Sequence, residues 1–158
     1  QSSAAIRALY AQTAPGPRDL VGRLASEGLL VCVDVKGYQK LHQGGKRLVV
    51  FTGNSDGNAL RSWCPDCMRS MPIVLLTARD SGLPLIVVGV GDRDDWRLDA
   101  RGGSHPFRAK DGLALTGVPT LLFYGAAGKE LGRLGAELEN ESDPKAAKAL
   151  IDGMAQWT

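Results

Sequence analysis

Apolar residues along this chain fall into two alternating patterns: short continuous runs bounded by glycine or polar residues, and longer stretches in which they recur at helical spacing. Ala4 to Gln12 reads as a short helix, separated by Pro15-Gly16-Pro17 from a second over Arg18 to Glu27, where Leu20, Val21 and Leu24 share a face. The run Leu29-Leu30-Val31-Cys32-Val33 is apolar and β-branched and suits a buried strand. Gly37 to Gln43 follows as a brief helix closed by Gly44-Gly45, and Leu48 to Thr52 is the second strand. After a turn-rich stretch, Trp63 to Cys67 opens a helix running to about Arg79, which Pro72 is expected to kink. Leu85 to Val90 is the third strand. A long polar connection, Gly91 to Gly117, holds short helical pieces, and such length hints at function or mobility. Thr120 to Tyr124 and Glu130 to Leu134 make a hairpin across Gly125 to Lys129. Asp143, as N-cap before Pro144, starts a last helix with Ala147, Leu150, Ile151 and Met154 on one face.

Strands joined by helices, followed by a hairpin and a closing helix, predict an α/β fold with a central mixed sheet of about five strands flanked by helices. That is the thioredoxin order. Residues 29–158 form the thioredoxin-like domain on this reading, and residues 1–28 an N-terminal helical extension.

Composition narrows the function. The 158 residues are 44% hydrophobic and 23% charged with a formal charge of +2, so neither nucleic acid nor an anionic membrane is implied as partner. The longest apolar runs fall far short of the roughly 20 residues that cross a bilayer. Three cysteines are an odd count and too few for the disulfide framework of a compact secreted domain, which favours a reducing compartment. Ser2 to Ala14, with Arg7 and no acid, also suits the remnant of an organellar transit peptide.

The chemistry concentrates in Trp63-Cys64-Pro65-Asp66-Cys67. A Cys-x-x-Cys at the start of a helix places the first sulfur where unsatisfied amides and the helix dipole stabilise an anion, so Cys64 is the nucleophile. Cys67, one turn on and less exposed, is the resolving thiol. The alternatives are half of a zinc site or incidental thiols. Cys32, His42 and His105 are the only other soft ligands and none stands at ligand spacing, so no metal is expected. The strand before the motif contains no acid, which leaves Asp66 to accept the Cys67 proton while its charge opposes thiolate formation at Cys64. Arg61 and Arg69 flank the motif as solvated or thiolate-stabilising cations. Trp63 is either a contact platform for substrates or a packing residue. Cys32 reads as a buried inert thiol, and His42 and His105 as a helix-end and a polar-loop residue without catalytic roles.

Phe51-Thr52-Gly53, the loop after it and Ser62 to Cys67 resemble the family of the thioredoxin-related protein of 14 kDa, also called thioredoxin domain-containing protein 17. Val35-x-Gly37-Tyr38, Pro72, the Trp96 loop, Pro106-Phe107-Arg108 and Val118-Pro119-Thr120-Leu121-Leu122 extend the resemblance over about Val35 to Glu139. It implies a monomeric cytosolic oxidoreductase with no bound cofactor. Electrons would come from NADPH through thioredoxin reductase or an equivalent dithiol donor, and the substrates would be cystine or protein disulfides. It also implies that Pro119 is a cis-proline and that the Val118 backbone pairs with substrate, beside which Trp63 and Pro65 are read as further substrate contacts. The sequence departs from the family in residues 1–28 and in Met68-Arg69-Ser70-Met71, where the family is acid-rich. Two other readings are a thioredoxin-like interaction module and an oxidase or isomerase of exported proteins. A redox potential near about −270 mV separates a reductase from an oxidant or isomerase at about −120 to −180 mV.

Overall fold

The computed structural model of the protein describes residues 16–97, 105–110, 112–140 and 143–155. The helix expected over Ala4 to Gln12 lies outside them. Strands β1 (Leu30–Val33), β2 (Arg47–Thr52), β3 (Leu85–Gly89), β4 (Thr120–Tyr124) and β5 (Glu130–Leu134) form one sheet in the order β1-β3-β2-β4-β5. The first three run parallel, β4 is antiparallel to β2 and β5 antiparallel to β4, so the sheet is mixed as expected. Helices α1 (Pro17–Ser26), α2 (Val35–Lys40), α3 (Pro65–Ser81), α4 (Arg93–Trp96), α5 (Ala136–Asn140) and α6 (Pro144–Ala155) complete this thioredoxin fold.

Alternation along the strands divides the core into two layers, because successive side chains leave a strand on opposite faces. Leu48 and Val50, Leu85 and Val87, and Leu121 and Phe123 pack with Leu20, Val74 and Ile151 of α1, α3 and α6. Val49 and Phe51, Ile86 and Val88, and Leu122 and Tyr124 pack on the other face with Tyr38, Trp96 and Phe107. Central strand β2 is buried along its whole length, which explains its unbroken apolar run. Helix α1 contributes Leu20 and Leu24 to the same core as the sheet.

Three expectations change. Strand β1 lies at the sheet edge with Val31 and Cys32 exposed, so Cys32 is not the buried thiol expected. An apolar run cannot tell an edge strand from a central one, since neighbour number is set by topology. Helix α2 begins at Val35 because the Asp34 carboxylate accepts from the Gly37 amide at 2.7 Å, and it ends at Lys40 where Leu41 turns extended with ψ 128°. His105 is 2% exposed rather than in a polar loop. Helix α5, five residues long, is too short to show a period in the sequence. The last helix starts as read, with the Asp143 carboxylate accepting from the Lys145 amide at 3.1 Å.

Candidate active site

Strand β2 ends at Thr52, and the chain loops back through residues 53–62 before α3. Asn54 organises this loop. Its Nδ2 donates to the Asn58 and Arg61 carbonyls at 2.7 and 2.6 Å, and its Oδ1 accepts from the Gly57 amide at 2.7 Å. The loop returns to the strand end through Ser62, whose hydroxyl donates to the Gly53 carbonyl at 2.7 Å and accepts from the Cys64 amide at 3.0 Å. Helix α3 therefore starts at a fixed point beside the sheet.

Cys64 is the N-cap of this 17-residue helix, with Pro65 in the first turn where its missing amide costs nothing. Helix α3 continues through Pro72 to Ser81 and closes on Gly82 in the left-handed conformation, φ 69°. The Cys64 sulfur accepts from the Cys67 amide at 3.2 Å, as a capping oxygen would, and its thiol donates to the Val118 carbonyl at 3.5 Å. Cys64 is 6% exposed and Cys67 1%; both are free thiols. The hydrogen bond from the Cys67 thiol, with the helix-start amides, draws the Cys64 pKa down against burial and the Asp66 charge. Burial first, and the facing Cys64 second, push Cys67 far above the ordinary thiol range, although Thr52 and Gly53 also hydrogen-bond to it. One thiol is primed to ionise and the other to stay protonated.

The Val118–Pro119 peptide is cis, as the resemblance implied, and the Val118 carbonyl lies against the Cys64 thiol. Asp66 pairs with Arg69 at 2.8 Å, half-buried. Trp63 is half-buried, and its indole Nε1 donates to the Gly91 carbonyl at 2.9 Å. Pro65 is exposed. An open groove of about 320 Å3 lies beside the motif, lined by Asn54, Ser55, Asp56, Arg61, Ser62 and Trp63. Asp56 and Arg61, both exposed on its rim, stand 4.0 Å apart, a pair worth about 0–1 kcal/mol.

Sequence reasoning missed Ser62 as the partner of the Cys64 amide, and Thr52 and Gly53 as partners of the Cys67 sulfur. Ser62 was legible as a hydroxyl at the helix entry; Thr52 and Gly53 needed the sheet. Cys32 is apart from the pair. Its thiol is pushed up by partial enclosure and by Asp56, which makes it a poor nucleophile near neutral pH despite its exposure. His42 is exposed and His105 is packed among aromatic rings. Among the described residues, no three His, Cys, Asp or Glu side chains gather as metal ligands would, and no helix is long and apolar enough to cross a membrane.

The chain is 33% identical over 109 residues to the thioredoxin-like protein Clot of Oryza sativa subsp. japonica, covering 64% of this chain and 76% of that protein. It is 36% identical over 105 residues to thioredoxin domain-containing protein 17 of Danio rerio and 34% identical over 105 residues to that of Homo sapiens, covering in each case 61% of this chain and 80% of the relative. Residues 32–142, well over half of the chain, match the model of the family described as thioredoxin domain-containing protein 17-like, thioredoxin domain. The fold and the adjacent Cys64 and Cys67 support a redox-type thioredoxin function whose partners are dithiols or disulfides. The chain belongs to the thioredoxin domain-containing protein 17-like family of thioredoxin domains.

Proposed function

We propose that the protein is a thiol-disulfide reductase in which Cys64 attacks the substrate disulfide and Cys67 resolves the intermediate. The observation that carries this reading is the asymmetry of the pair. Cys64 caps the helix and has its pKa lowered by the Cys67 thiol, whereas Cys67 is buried with its pKa raised. The Cys64 thiolate attacks one substrate sulfur; the substrate S–S bond breaks, and the leaving thiolate takes a proton from solvent. Cys67 then loses its proton and attacks the Cys64 sulfur, which breaks the mixed disulfide and frees the second substrate thiol. Two electrons have passed to the substrate, and Cys64–Cys67 is left as a disulfide. Thioredoxin reductase, drawing on NADPH, returns the electrons.

Asp66 receives the Cys67 proton in this scheme. The cis peptide at Pro119 and the Val118 backbone hold an extended substrate segment against Cys64, with Trp63 and Pro65 as flanking contacts. Cystine and accessible protein disulfides are the substrates, and the protein works as a monomer in the cytosol. A coupled assay with NADPH, thioredoxin reductase and cystine or insulin tests the reading. Wild type should consume NADPH, and Cys64→Ser should fall to background. Equal rates for the two proteins would leave an interaction module as the better description.

A further inference from the structure

The segment that follows β3 is built as a clip on Trp63. At its root Gly91 has φ 108°, and a Cβ there would stand 2.8 Å from the Asp95 side chain. Asp92 Oδ1 accepts from the Asp95 amide at 2.8 Å, and Asp95 Oδ2 accepts from the Asp92 amide at 3.0 Å, a reciprocal cap that fixes the single turn of α4. On its inner side this turn is tied to the body of the protein. Trp96 lies edge-on to His105 at 5.0 Å, the Trp96 carbonyl accepts from Arg108 at 3.2 Å, and His105 Nε2 is 2.7 Å from the Val90 carbonyl.

On its outer side three contacts reach Trp63. The Gly91 carbonyl accepts from the indole Nε1 at 2.9 Å, Arg93 Nη2 donates to the Trp63 carbonyl at 2.9 Å, and the Arg93 guanidinium covers the indole ring at 5.1 Å. The Trp63 amide donates to the Gly53 carbonyl at 2.9 Å. Amide, carbonyl, indole N–H and ring face of Trp63 are therefore all engaged. The carbonyl that Arg93 grips belongs to the peptide that carries Cys64, whose amide is anchored on Ser62 at 3.0 Å.

We propose that Arg93 is a positioning residue for the nucleophile: by gripping the carbonyl and the ring of Trp63 together, it fixes the peptide plane from which Cys64 aims its sulfur at the Cys67 amide. The inference rests on Cys64 being the attacking thiol. A planar guanidinium can donate along its edge and stack with its face at once, whereas an ammonium offers only point contacts. Arginine at position 93 thus does two jobs, of which lysine retains at most the hydrogen bond.

The test is the pH dependence of Cys64 alkylation by iodoacetamide, followed by mass in the reduced protein on a Cys32→Ser background, so that the exposed third thiol does not contribute. Cys64→Ser identifies the labelled sulfur. Arg93→Ala should move the alkylation midpoint upward and slow labelling near neutral pH about threefold or more, with the thermal midpoint kept. Arg93→Lys should lie between the two. A profile for Arg93→Ala that superimposes on the parent overturns the proposal and leaves the reductase reading intact. Should Arg93→Ala melt early, Arg93→Gln decides in its place by the same criterion. A parent protein whose alkylation midpoint does not lie below that of an ordinary thiol removes the primed nucleophile, and the proposal with it.

Discussion

At the scale of single residues, the site works through what surrounds each sulfur. The Cys64 pKa is drawn down chiefly by the Cys67 thiol, and the helix-start amides add to the effect. A lowered pKa means that the thiolate persists to lower pH. Iodoacetamide labelling of Cys64 should therefore rise with pH about a midpoint that lies below that of an ordinary thiol. Because the Asp66 charge raises the Cys64 pKa, Asp66→Asn should shift that profile to lower pH still. If Asp66 also takes the Cys67 proton, the same variant should turn over cystine several-fold more slowly while labelling faster, a split that a purely electrostatic role would not produce. Cys67→Ser should halt the reaction at the mixed disulfide, which mass spectrometry would detect as substrate bound to Cys64.

At the scale of elements, the loop over residues 53–62 and the clip of α4 decide how rigidly α3 begins. Gly57 is the tight point of the loop. It has φ 77°, and a Cβ there would lie 2.5 Å from the Val33 carbonyl. Gly57→Ala should cost about 2–4 kcal/mol of unfolding free energy in a denaturant titration, since both the backbone conformation and the space exclude a side chain. Gly53 matters differently, because its Cβ would meet the Trp63 ring at 2.7 Å. Gly53→Ala should displace the indole and slow turnover more than it lowers stability. In the clip, Asp92→Ala removes one half of the reciprocal cap and should cost about 1 kcal/mol in the same titration.

At the scale of the whole molecule, two core layers share one sheet, and the layer that carries the site contains His105. His105 accepts from the Phe107 amide at 3.1 Å through Nδ1, so Nε2 carries the proton toward the Val90 carbonyl in the neutral ring. Burial lowers its pKa below 6.5 against the hydrogen bond to the Val90 carbonyl and the Asp95 charge, and Arg108 reinforces the shift. The unfolded chain therefore binds this proton more readily than the folded one. The stabilisation is complete above about pH 6.5 and is lost as the pH falls toward the folded-state value. Thermal melts should show the midpoint falling between pH 7 and pH 5, and His105→Gln should flatten that fall.

Much of this architecture was legible before any coordinates. All five strands and the main helices follow from apolar runs, turn residues and caps, because burial and backbone hydrogen bonding act locally enough to mark the chain. The start of α3 at the Cys-x-x-Cys was equally readable, since Pro65 and the two sulfurs announce a helix N-terminus. Tertiary structure alone decided neighbour relations. It put Cys32 on an edge, drew His105 into an aromatic cage, and brought Val118 from 54 residues away to the Cys64 thiol. It also placed Arg93, 30 residues beyond Trp63, on the carbonyl next to Cys64. Such contacts arise where separate strand ends meet at one end of the sheet, and local propensity contains no term for which ends meet. The thiols and the helix that holds them are local features of the chain, whereas the burial of Cys67 and the Val118 contact of Cys64 come from packing, because they join segments far apart in sequence.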